Sequence, residues 1–169
     1  MDINNYVDNV CLLARESSRE ISCITQTQKD SILNDLVNEI KKNREDIKSE
    51  NKIDIEALKK SENFAESFID RLLLNDLRID AMIDSIVEII AIDDPVGDIK
   101  ELKTMPSGIK VGKMSMPLGV IAMIYESRPN VTIDASALSI KSGNSIILRG
   151  GSESIRTNIC LLYTSPSPR

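Results

Sequence analysis

All seven glycines and all six prolines of this 169-residue chain lie at or after Pro95, and none lies before it. Residues 1–94 therefore lack the usual turn punctuation, and helix is the natural state for a stretch of that kind. Charge divides at the same point. Residues 1–94 carry 12 basic and 21 acidic side chains, and residues 95–169 carry 9 and 5. The chain thus reads as a helical region over 1–94, a connector with an edge strand over 95–116, an α/β segment over 117–160, and a tail over 161–169.

Apolar spacing supports the helices. Tyr6, Val10, Leu13, Ile21 and Ile24 recur at helical steps broken at Ser17, and Ile32, Leu33, Leu36, Val37 and Ile40 form a second stripe. Thr27, with Asp30 in the following turn, reads as the N-cap between them. A polar segment over 43–60 precedes Phe64, Phe68, Leu72, Leu73, Ile83, Ile86, Val87 and Ile90, and Asn75-Asp76 is a place for that run to split into two helices.

Beyond Pro95 the period changes. Ile109 to Met116 alternates as a half-exposed strand does, whereas Gly119 to Tyr125 is a continuous apolar run, expected of a strand covered on both faces. Val131 to Lys141 has helical spacing ended by Ser142-Gly143, and Ser145 to Leu148 is a second buried strand. Gly150-Gly151 turns the chain, and Ser152 is placed to cap a helix through Ile155 and Ile159. The sum is a βαβα unit with parallel strands, so the fold class is α/β behind a helical N-terminal layer.

Composition excludes several chemistries. There is no histidine, so histidine triads and histidine metal sites are out within this chain. Cys11, Cys23 and Cys160 form no CxxC pair, which argues against a disulfide framework or a metal centre; all three read as buried and inert. The net charge of −5, with two Phe and no Trp, disfavours nucleic acid. No apolar run nears the roughly 18 residues of a membrane span, and the start lacks a secretory pattern, so a cytoplasmic protein is expected.

Ligands of parallel sheets gather at the carboxyl ends of strands, near helix starts. Two such ends carry an arginine: Glu126-Ser127-Arg128-Pro129-Asn130 and Arg149-Gly150-Gly151-Ser152-Glu153. A guanidinium beside a helix N-terminus suits a phosphate or carboxylate, and the two tips are expected to share one hollow. Neither a GxGxxG fingerprint nor a Walker phosphate loop is present, so spacing alone also allows plain connecting loops.

At these loops the chain resembles a known family. PLGVIAMIYESRPNVT (117–132) and KSGNSIILRGGSES (141–154), preceded in order by DRLLLNDLRIDAM (70–82), DDPVGDI (93–99) and MPSGIKVGKM (105–114), are similar to the gamma-glutamyl phosphate reductases. These form the proline-biosynthesis branch of the aldehyde dehydrogenase superfamily. The resemblance implies an aldehyde-dehydrogenase-like cofactor domain, here incomplete, and NADPH-dependent reduction of L-glutamate 5-phosphate to the semialdehyde by a homo-oligomer. It implies cofactor contacts by Arg149, Gly150, Gly151, Ser152 and Glu153, and substrate contacts by Ser127, Arg128 and Asn130, with Arg128 against the phosphate or the developing oxyanion. It assigns no catalytic residue, since the family's nucleophilic cysteine lies in a later domain and none of the three cysteines matches its motif. The likeness fades near Asn158, and the Ser-Pro steps of the tail are expected to stop the last helix. A non-catalytic nucleotide-binding module and an inert structural piece stay open as alternatives.

Overall fold

The computed structural model describes residues 2–60 and 66–164. Five helices come first: α1 (Ile3–Ile21), α2 (Gln26–Lys42), α3 (Arg44–Lys59), α4 (Glu66–Leu72) and α5 (Asp76–Ala91). A hairpin follows, β1 (Ile99–Thr104) and β2 (Lys110–Met114). The chain then runs through β3 (Val120–Ile124), α6 (Pro129–Lys141), β4 (Ser145–Arg149), a 3-10 turn (Ser152–Ser154) and α7 (Ile155–Thr164).

The helix boundaries have local causes. The cap of α2 is Thr25, not Thr27: its hydroxyl accepts from the Gln28 amide at 3.3 Å while the Gln28 side chain accepts from the Thr25 amide at 2.8 Å, a reciprocal box that Asp30 cannot complete. Asn75 splits the later run as its sequence suggested, accepting from the Arg78 amide at 2.9 Å. The polar stretch 43–60 holds a full helix, α3, whose buried face includes Ile47, Asn51, Asp54 and Ile55. Phe64 and the Ser-Pro steps at 165–168 lie outside the described residues. Short of them, α7 runs on past Asn158 to Thr164, with Leu161 fully buried.

The core lies among the helices. Leu33, Leu36, Val37 and Ile40 of α2 meet Ile79, Met82, Ile83, Ile86 and Ile89 of α5, with Ile133 and Ala137 of α6 and Leu161 of α7 closing the cluster. Two lysines are buried at its edge. Lys29 donates to both Asp94 carboxylate oxygens (2.9 and 2.8 Å), and Lys141 donates to Asp30 Oδ1 (2.8 Å) and the Ile90 carbonyl (2.9 Å). These contacts fix the end of α5 and the connector that leaves it.

β3 and β4 pair in parallel, Val120 opposite Ser145 through Ile124 opposite Arg149. α1 packs on both strands and α6 on β4, and the Ser145 hydroxyl donates to the Ala14 carbonyl at 2.7 Å. Gly143 closes α6 with φ +71°, a conformation glycine adopts without steric cost. Two expectations about the strands and one about the cysteines need correction. β1 joins β2 antiparallel where one edge strand was expected, and the hairpin is exposed throughout. β3 is mostly exposed and β4 half-buried, because a two-stranded sheet covers little of either face. Cys11 and Cys23 are exposed rather than buried: Cys11 lies on α1, whose buried residue is Ser18, and Cys23 lies in the turn beyond that helix.

Candidate functional site

The two strand ends lie side by side, the Tyr125 amide donating to the Arg149 carbonyl at 3.0 Å. After β3, Glu126 is exposed, Ser127 is fully buried, and Arg128 occupies the cap position of α6 ahead of Pro129. Proline suits the first helical position because its missing N–H would have no partner there. The Ser127 hydroxyl has no hydrogen-bond partner among the described residues. Asn130 is not the cap; its amide donates to Asp134 Oδ2 at 3.1 Å.

Arg128, Asn130 and Asp134 form one wall of a hollow of about 360 Å³. The opposite wall comes from α4, α5 and the turn between them, with Arg71, Leu74, Arg78, Met82 and Ser85. Arg78 is engaged, donating to Asp70 Oδ1 at 2.7 Å and to the Leu73 carbonyl at 3.0 Å. Arg71 reaches Glu126 at 4.0 Å and covers the Phe68 ring. The Arg128 guanidinium has no side-chain or carbonyl partner among the described residues.

The hollow does not take in Arg149. That side chain is exposed at the end of β4, also without an ionic partner among the described residues, followed by Gly150, Gly151 and the 3-10 turn. Ser152 caps nothing: its hydroxyl turns to Glu153 Oε2 at 3.4 Å, and the first residues of α7 are served from α3 instead. Asp54 accepts from the amides of Thr157 (2.8 Å) and Arg156 (3.4 Å), and from the Thr157 hydroxyl (2.7 Å). A carboxylate there also complements the helix dipole.

The strand-end loops are therefore two stations rather than one hollow, and a buried polar chain sets their spacing. The Tyr125 and Thr132 hydroxyls bond at 2.6 Å, Thr132 donates to Asn158 Oδ1 at 3.0 Å, Asn158 donates to Ser154 Oγ at 3.0 Å, and Ser154 donates to the Gly151 carbonyl at 3.3 Å. Side-chain networks of this kind are fixed only when each member is satisfied. By sequence Tyr125 is only the end of an apolar run, and nothing in the spacing links it to Asn158. The signal that was there is a hydroxyl at a strand end followed by polar residues at helix positions facing a glycine turn.

Gly150 sits against this chain. A Cβ there would lie 2.3 Å from Asn158 Nδ2 and 3.2 Å from the Tyr125 hydroxyl. Gly150→Ala is expected to cost about 1–3 kcal/mol through forced displacement of Asn158, read from urea unfolding midpoints. At Gly151 the clash is with the mobile end of Glu153, and Gly151→Ala should cost less.

Among the described residues no cluster of acidic or cysteine side chains could hold a metal ion, and no helix is long and apolar enough to cross a membrane. The Cys160 thiol is half-buried and pushed up by that burial first, then by Glu50 and Asp46.

Comparison with known proteins gives consistent relatives. No family model matches the chain. Gamma-glutamyl phosphate reductase of Colwellia psychrerythraea is 47% identical over 150 residues, 89% of this chain and 36% of that protein. The enzyme of the same description from Thermodesulfovibrio yellowstonii is 43% identical over 162 residues, 96% of this chain and 38% of the relative. The crystal structure of gamma-glutamyl phosphate reductase from Thermotoga maritima superposes with a TM-score of 0.85 at 35% identity, covering 89% of this chain and 36% of that one. A putative aldehyde dehydrogenase from Bacillus subtilis, 15% identical with a TM-score of 0.70, shares the fold over 95% of this chain and 33% of its own. The chain spans a little over a third of the length of the curated relatives it matches.

Proposed function

The chain belongs, over the stretch it spans, to the gamma-glutamyl phosphate reductase family of the aldehyde dehydrogenase superfamily, and from that premise we propose that it supplies part of the ligand-holding side of a proline-biosynthesis reductase. The substrate is L-glutamate 5-phosphate, reduced in the cytoplasm to the 5-semialdehyde with release of phosphate. The cofactor is NADPH, which when bound would furnish the hydride.

The observation that carries this reading is a pair of arginines without an ionic partner among the described residues, one in the loop that follows β3 and one at the end of the parallel strand β4. Arg149, exposed beside Gly150 and Gly151, is available to the ribose 2′-phosphate, and the Glu153 carboxylate beside it can accept from the remaining 3′-hydroxyl of that ribose. Those donors and acceptors fit a phosphorylated nucleotide. Arg128 holds a substrate anion in the hollow, with Ser127 and Asn130 at the same helix start. The polar chain through Tyr125, Thr132 and Asn158 keeps the two loops at one spacing, which reaction between two bound molecules requires.

The family's chemistry implies attack on the acyl phosphate by a cysteine thiolate, and this segment offers a poor one. Cys11 and Cys23 lie exposed on and just beyond α1, while Cys160 is held as a thiol by burial. The segment therefore binds and orients, and a nucleophile must come from elsewhere in a complete enzyme. Calorimetric titration with NADPH tests this. Saturable binding is expected, with Arg149→Ala weakening it at least about tenfold (1.4 kcal/mol) and narrowing the preference over NADH. Heat signals identical to buffer for both cofactors would leave the segment an inert structural piece.

A further inference from the structure

Five charged side chains line the hollow: Asp70, Arg71, Arg78, Arg128 and Asp134. Three are already matched, Arg78 with Asp70 at 2.7 Å and Arg71 with Glu126 at 4.0 Å. Two are not. Arg128 has no ionic partner among the described residues. Asp134 is held by neutral donors alone, the Ser85 hydroxyl at 3.2 Å and the Asn130 amide at 3.1 Å, with no cation within ion-pair distance among the described residues. A half-buried carboxylate fixed from two sides by neutral groups is oriented but not neutralised, because none of the arginines that line the hollow lies within ion-pair distance of it. The hollow thus presents one unspent positive and one unspent negative charge, in about 360 Å³, the lower end of the range for small-molecule sites.

We propose that Arg128 and Asp134 clamp the α-carboxylate and α-ammonium of an amino-acid substrate in the hollow between α5 and the start of α6. This rests on the reductase reading and deepens it, because it makes the free amino group of the substrate a recognised feature. Arg128 offers paired N–H donors to the carboxylate, and Asp134 accepts from the ammonium while Ser85 and Asn130 hold its two oxygens in place. Such a site rejects an acid lacking the ammonium, because Asp134 is then desolvated with no cation brought within ion-pair distance of it.

The test uses the chain itself, with L-glutamate and glutarate as probes. Glutarate has the same two carboxylates and no ammonium. L-Glutamate is expected to bind saturably and at least tenfold more tightly than glutarate. Asp134→Asn preserves the shape and the acceptor for Ser85. It should bring L-glutamate to the level of glutarate while leaving glutarate and NADPH binding unchanged. Arg128→Gln should weaken both acids. Equal binding of the two acids by the unsubstituted chain overturns the clamp whether or not any variant folds. So does the absence of a saturable L-glutamate response, or equal loss of both acids in Asp134→Asn. NADPH binding that persists through such a result leaves the cofactor reading standing, whereas loss of NADPH binding alone counts against that reading and not against the clamp.

Discussion

Asn51→Leu is expected to lower stability by about 3–5 kcal/mol, because it leaves backbone groups of α4 and of the turn after it stranded in the interior. The Asn51 amide donates to the Leu72 carbonyl at 2.8 Å and to Thr157 Oγ1 at 3.3 Å, and its oxygen accepts from the Leu74 amide at 2.8 Å. All of this is out of water, Asn51 being 1% exposed. Leucine has nearly the same shape, so the cavity term is small. What remains is a carbonyl and an N–H stranded in the interior, each costing about 1–3 kcal/mol. Because Asn51 joins α3 to both the α4–α5 turn and α7, the loss should appear as a lower urea midpoint with an unchanged slope. An Asn51→Leu chain as stable as the original would mean that these groups find other partners, and that α3 is not fixed as described.

Asp94→Ala should cost a similar amount, about 3–5 kcal/mol near neutral pH, by leaving the Lys29 ammonium without its partner. Lys29 is 1% exposed and both of its hydrogen bonds go to Asp94. The effect has a sign in pH. Burial by itself pushes the Asp94 carboxyl up, but the Lys29 ammonium, the Val96 amide and the nearby charge of Lys141 outweigh it and hold the group below its ordinary 3.8. A carboxyl lowered in the folded state contributes its stability in full above the unfolded value, and that contribution is lost as pH falls through the lowered one. The gap between Asp94→Ala and the original chain should therefore be widest above about pH 5 and close on acidification below about pH 4. A gap that widens with acid would show that the carboxylate is not the stabilising form. Replacing both partners, Lys29→Met with Asp94→Leu, should recover much of the loss.

Much of the fold was legible because it follows from local chemistry. The Gly and Pro boundary at Pro95 separates the helices from the strands, and the GVIAMIY and SIIL runs become the parallel pair β3 and β4. What escaped was tertiary. α3 hid behind its polarity because its inward face uses Asn51 and Asp54, which hydrogen-bond to other elements rather than pack apolar surface. The cap of α7 was sought at Ser152, next to it in sequence, and lies about a hundred residues away on α3. Thr25 and Thr27 are indistinguishable by type, and the geometry of Gln28 decides between them. The strands read as covered because their composition is that of interior strands, while the two-stranded pairing within this chain leaves them open.

The site was half legible. Arg128 and Arg149 stand at strand ends as their loops implied, but a shared hollow depends on side-chain direction and on what stands opposite. The wall facing Arg128 comes from α4 and α5, elements read only as core, and no spacing rule links Ser85 or Arg78 to Asp134. The polar chain from Tyr125 to Gly151 likewise joins residues on five different elements and loops, each unremarkable by itself.

Residue-resolved NMR of the labelled chain, titrated with NADPH and with L-glutamate, addresses two separate stations most directly. NADPH should shift the amides of Arg149 to Glu153, L-glutamate those of Arg128, Asn130 and Asp134, and each set should saturate with its own ligand whether or not the other is bound. Both ligands moving one common set, or neither moving any set to saturation, would contradict the account.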